Sequence, residues 1–150
     1  MNLTRAESQI ESLPKREQVR LRRERQSAGL WRILAEQELD ASPRDEKRYE
    51  LILRAIALLG QNNPETDGHL PYGRALYDAN YSQLRLERLL EAEDLFDEAR
   101  KTILFLDAQS DALTQPPDWS QLNDYLKYQN DRARRAIARS YFYAKYDDSQ

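Results

Sequence analysis

The chain has 150 residues, a net charge of −3, one histidine and no cysteine. That length suits one compact domain, and the missing thiols exclude disulfides, thiolate metal sites and a cysteine nucleophile. No run nears the ~20 apolar residues of a membrane helix, and Met1-Asn2-Leu3-Thr4-Arg5 opens no apolar leader, so a soluble cytoplasmic protein is expected.

No strand-like alternation persists anywhere, and Val occurs once, at Val19. Leu, Ala, Arg, Glu and Gln dominate, all good helix formers. The sequence therefore predicts an all-α bundle of roughly seven to nine helices in a single domain over 1–150. A first helix is expected from Pro14 or Lys15 to Gln26, with Ser12 as its cap. Gly29 is read as a break before Leu30-Trp31-Arg32-Ile33-Leu34. Ser42-Pro43-Arg44-Asp45 then supplies a cap, an N1 proline and an early acid. It opens a helix whose Tyr49, Ile52, Leu53, Ile56, Ala57 and Leu59 form a buried stripe, with Gly60 as its stop.

Gln61 to Pro71 reads as a loop rich in Asn, Pro, Asp and Gly. A short helix from Tyr72 follows, then a longer one from Ser82 with a break near Glu93-Asp94. Its apolar side is Leu86, Leu89, Leu90, Phe96, Ala99, Ile103 and Leu106. Residues 107–117 connect to Asp118, read as a cap with Gln121 at the N3 position of a capping box. A last helix runs from Asn130 to Lys145. Trp31, Trp119, Tyr125 and Tyr141 are assigned to the core, and Tyr128, Tyr143 and Tyr146 to a partly exposed surface able to stack on bases.

Charge is unevenly spread. Residues 1–35 carry eight Lys/Arg against four Asp/Glu, and residues 127–145 carry six against one. The stretch 36–126 carries nine basic residues against nineteen acidic. Screening limits a charge's reach to ~8–10 Å, so local balance matters more than the sum. Arg20, Arg22, Arg23 and Arg25 crowd one helix but spread over more than one face. Arg132, Arg135 and Arg139 share a face at i, i+3 and i+7, and their guanidinium forks suit phosphate oxygens. Arg74, Arg85, Arg88, Arg100 and Lys101 stand in acidic sequence, where partners such as Asp97 for Lys101 explain several of them as surface pairs. A lone loop histidine, His69, makes a poor metal site. The acids Glu91, Glu93, Asp94, Asp97 and Glu98 lack calcium-loop spacing. No phosphate-cradling glycine loop, serine elbow or zinc-protease motif occurs. No catalytic residue, cofactor or metal is expected.

Four segments carry a family resemblance. They are Arg20-Leu21-Arg22-Arg23, Tyr72-Gly73-Arg74-Ala75-Leu76, Leu84-Arg85-Leu86-Glu87-Arg88-Leu89-Leu90, and Asp118-Trp119 with the closing Arg-rich helix and its Tyr141-Phe142. In order and spacing they resemble the CasB family, the small subunit of the type I-E CRISPR surveillance complex called Cascade. Tyr72 stands where that family usually has Leu. The resemblance implies an all-α, non-catalytic subunit present in two copies. Its expected partners are the other Cascade proteins, the guide RNA and target DNA, with no membrane. It implies a basic face that holds the displaced non-target strand and so stabilises the R-loop. The residues expected to contact nucleic acid are Arg22, Arg23, Arg74, Arg85, Arg88, Arg100, Lys101, Arg132, Arg135 and Arg139. The competing reading is a small helical adaptor that binds only protein.

Overall fold

A computed structural model describes residues 1–23 and 27–148. The chain forms two compact units, Met1–Gln61 and Asn62–Gln150. Every regular element among the described residues is helical, apart from one bridging pair between Pro71 and Asp118. The all-α expectation holds.

The first unit contains α1 (Leu3–Glu11), α2 (Lys15–Arg23), α3 (Ala28–Glu36) and α4 (Pro43–Leu59). Helix α4 is its axis, packed by each of the other three. It starts as the sequence requires: the Ser42 hydroxyl accepts from the Asp45 amide at 3.2 Å, and Pro43 occupies the first turn. It stops at Gly60, whose φ of 83° is costly for any residue with a Cβ. Burial is wider than the expected stripe, for every residue from Arg48 to Ala57 is buried. Charges there are paired, Arg48 with Asp45 at 2.9 Å and Arg54 with Glu50 at 3.1 Å, as burial demands.

Three expectations need correction here. Helix α1 was not foreseen, and Ser12 ends it rather than opening α2. Only Ala6 and Ile10 of α1 are buried. A side-chain clamp holds its start, where Gln37 accepts from the Asn2 amide at 2.9 Å and donates to the Asn2 carbonyl at 3.0 Å. Gly29 lies inside α3 rather than before it, with Leu13 packed so near that a Cβ would sit 3.0 Å from its Cδ1. Trp31 is not core: it is 42% exposed, because Leu30, Ile33 and Leu34 already form the inward face of α3. Arg25 and Gln26 lie outside the described residues.

The second unit contains the single turn α5 (Pro64–Asp67), then α6 (Tyr72–Asp78), α7 (Gln83–Leu90), α8 (Leu95–Ala108), a 3-10 turn (Ser110–Ala112), α9 (Ser120–Tyr128) and α10 (Asp131–Asp148). The turn α5 falls within the stretch read as loop. Asp94 caps α8 at the foreseen break, accepting from the Asp97 amide at 3.2 Å. Gln129 in the left-handed region, φ 47°, separates α9 from α10. Trp119 and Tyr72, both fully buried, pack at 5.7 Å between ring centroids. Leu76, Leu86, Leu89, Ile103, Leu106, Leu122 and Ile137 are buried in the same unit. Tyr125 and Tyr141 are buried as expected, their hydroxyls donating to the Leu90 and Tyr81 carbonyls at 3.1 and 2.6 Å.

The capping box at Asp118 does not form. The Asp118 amide donates to the Leu70 carbonyl at 2.8 Å, while the Gln121 side-chain oxygen accepts from the Gly73 amide at 3.3 Å. Gln121 thus serves a tertiary contact, and Asp118 instead accepts from the Ser120 amide at 3.1 Å.

Candidate nucleic-acid interface

The ten cations singled out by sequence fall into distinct settings. In the first unit, Arg22 and Arg23 are exposed near the end of α2, and the Arg22 Nε donates to the Ala57 carbonyl at 2.9 Å. That contact docks Arg22 on α4. In the second unit, Arg74 on α6 lies 3.7 Å from Asp78 one turn on. Arg100 on α8 has a buried Nε with no hydrogen-bond partner among the described residues, so much of it points inward. Neither Arg74 nor Arg100 is among the residues that line the α10 groove or the α7/α8 groove of this unit.

Two sets do converge. Arg132, Arg135 and Arg139 line a groove on α10 together with Gln121, Ala136, Ser140 and Tyr143. None of the three arginines has an ion-pair or hydrogen-bond partner among the described residues. The local acid, Asp131, is engaged by Arg134 at 3.1 Å. Ser140 donates to the Ile137 carbonyl at 3.1 Å and lies 3.5 Å from the Gln121 oxygen. The Gln121 amide nitrogen has no hydrogen-bond partner among the described residues, and Gln121 is part of the groove lining. A neighbouring hollow continues past Arg132 to Asn130, Asp124 and Tyr128. Tyr128 and Tyr143 are 57% and 64% exposed, so the arginine row runs between two uncovered aromatic rings.

The second groove lies between α7 and α8, lined by Tyr81, Arg85, Arg88, Glu98, Lys101, Leu104 and Phe105. Its chemistry differs. Lys101 is held by Asp97 and Glu98, each at 3.3 Å, and those two carboxylates raise its pKa. The Arg85 guanidinium rests 5.4 Å from the Phe105 ring centroid, a cation–π contact. Burial raises the Tyr81 phenol and Glu98 adds to the shift, while Arg85, Lys101 and Arg88 oppose it.

Sequence reasoning missed Gln121, Ser140, Tyr81, Leu104 and Phe105 as groove residues. The signal for Ser140 was present: Arg132, Ala136, Ser140 and Tyr143 continue the arginine face at helical spacing. Gln121 and Tyr81 arrive from other elements and left no local trace. Among the described residues no group of three His, Cys, Asp or Glu side chains is placed to hold a metal ion, and no helix is long and apolar enough to cross a membrane.

Fold and surface together define a small all-helical protein distinguished by arginines without a partner among the described residues, set in a groove beside exposed aromatic rings. The family model described as CRISPR-associated protein Cse2 matches residues 15–142. The chain belongs to this family, the Cse2/CasB small subunits of type I-E Cascade, and is therefore a subunit of a CRISPR Cascade complex. The match takes in all four segments on which the resemblance rested. No curated protein matches the chain.

Proposed function

We propose that this chain is a non-catalytic Cascade subunit whose α10 groove grips the backbone of unpaired nucleic acid, foremost the displaced non-target strand of the R-loop. The observation that carries this reading is the row Arg132, Arg135 and Arg139, with no acid in its groove lining and no partner among the described residues. At ~1.5 Å rise per residue, the row extends about 10 Å along the helix, enough to meet successive phosphates of one strand. Phosphate contacts position a strand without reading its sequence, which suits a displaced strand of any sequence. R-loop formation is nearly balanced, so a few such contacts are enough to tip it. The other Cascade proteins, the guide RNA and a second copy of the chain complete the assembly in this reading, in the cytoplasm.

The test is target-DNA binding by the assembled complex carrying Arg132→Glu and Arg135→Glu. Both side chains are exposed, so the variant is expected to fold and assemble. Affinity for target duplex is expected to fall at least tenfold. Unchanged affinity in a fully assembled complex would overturn the proposal and leave the protein-only adaptor.

A further inference from the structure

We propose that the α7/α8 groove is a protein-docking site, which receives a carboxylate side chain and an adjacent large apolar residue from a neighbouring subunit of the complex. Sequence grouped Arg85, Arg88 and Lys101 with the strand contacts. Their surroundings favour protein. Leu104, 53% exposed, forms part of the groove wall, and Leu84, 60% exposed, stands one helical turn from Arg88 on α7. A sugar–phosphate chain has little apolar surface with which to cover these leucines, whereas a Leu, Met or aromatic side chain does.

The charge pattern agrees. Glu98 lines this groove and, with Asp97, already engages Lys101. A polyanion laid here would meet those carboxylates, which the α10 groove lacks. A single carboxylate brings only one charge against them, and Arg85 and Arg88 offset it. It has room to accept from the Arg88 guanidinium, which has no partner among the described residues, and from Arg85 beside it. Tyr81 supplies a third donor: its residue is only 5% exposed, and its hydroxyl has no hydrogen-bond partner among the described residues. One acid and one apolar neighbour thus use Tyr81, Arg85, Arg88 and Leu104, and Phe105 forms part of the apolar wall.

The experiment purifies the complex from cells co-expressing all its subunits with either Leu104→Asp or Arg88→Glu, and measures the amount of this chain retained. Both positions are exposed, so thermal melts of the isolated variants should match the parent chain; should Leu104→Asp fail that check, Arg88→Glu decides. Retention is expected to fall at least tenfold for each, and to survive Leu104→Met. Wild-type retention of both charged variants overturns the docking site. Wild-type retention with weakened target-DNA binding also overturns it, and assigns the groove to nucleic acid. The Arg132→Glu, Arg135→Glu variant serves as control and should be retained normally. Its effect on DNA bears only on the strand proposal, so the two can fail independently.

Discussion

At Gly73 a single hydrogen decides how closely two helices approach. Helices α6 and α10 meet there so tightly that a Cβ would fall well inside contact distance of the Ile137 carbonyl and the Ser140 hydroxyl, and 3.0 Å from the Tyr141 amide nitrogen. Two of these atoms are backbone, which a side-chain rotation cannot relieve. Overpacking of this kind costs about 1–3 kcal/mol, and rigid neighbours put Gly73→Ala at or above the top of that range. For a chain of this length each kcal/mol lowers Tm by about 2–4 °C. A thermal melt of Gly73→Ala is therefore expected to shift down by about 6 °C or more, and an unshifted melt would contradict the close approach. Because α10 carries the arginine row, the same variant is expected to bind target DNA less well than its loss of stability alone explains. Next to it, the buried Tyr72 hydroxyl donates to Thr102, which in turn donates to the Ala99 carbonyl at 2.6 Å. Burial raises the Tyr72 phenol far above its ordinary range, so it stays protonated and holds this bond throughout the working pH range. Tyr72→Phe is expected to cost about 1 kcal/mol, the net worth of a typical hydrogen bond, with denaturant unfolding as the measurement.

Helix boundaries were legible where the stop and start signals are local. Ser42 and Pro43 open α4 because a hydroxyl three residues from an amide needs no distant partner, and Gly60 closes it for the same reason. Removing the cap with Ser42→Ala is expected to cost about 1 kcal/mol, read in the same denaturant experiment. Elements whose stability comes from elsewhere were not legible. Helix α1 buries two side chains and depends on Gln37, 35 residues from Asn2. Gln121 satisfied the pattern of a capping box, yet its oxygen is drawn to Gly73, 48 residues back. Trp31 was misread by residue type, although the i, i+3, i+4 set of Leu30, Ile33 and Leu34 already named the buried face of α3. The arginine row of α10 was readable because all its members lie on one helix at one spacing. That Arg85 and Arg88 share a groove with Tyr81, Phe105 and Leu104 was not, since it depends on how α7 meets α8.

Across the whole molecule, a net charge of −3 conceals the proposed division of labour, which salt can expose. An acidic protein repels a polyanion at long range, but at ~0.15 M salt charges farther than ~8 Å are largely screened. On the proposed reading the α10 groove then acts through its own three arginines, with the acids of 36–126 out of reach wherever they lie beyond that distance. Counterion release gives each phosphate contact on a single strand a slope of roughly −0.7 in log K against log salt. In the proposed assembly other subunits also meet nucleic acid, so the informative quantity is the difference between wild type and variant. Loss of Arg132 and Arg135 together should flatten the slope by roughly 1.4, twice the single-contact value. Leu104→Asp, measured on whatever complex retains it, should leave the slope unchanged because it removes no phosphate contact. Parallel lines for wild type and the Arg132→Glu, Arg135→Glu complex, with the variant simply weaker, would mean that these arginines act by placing the subunit and not by touching the strand. A flattened slope at equal subunit content leaves direct phosphate contact as the explanation.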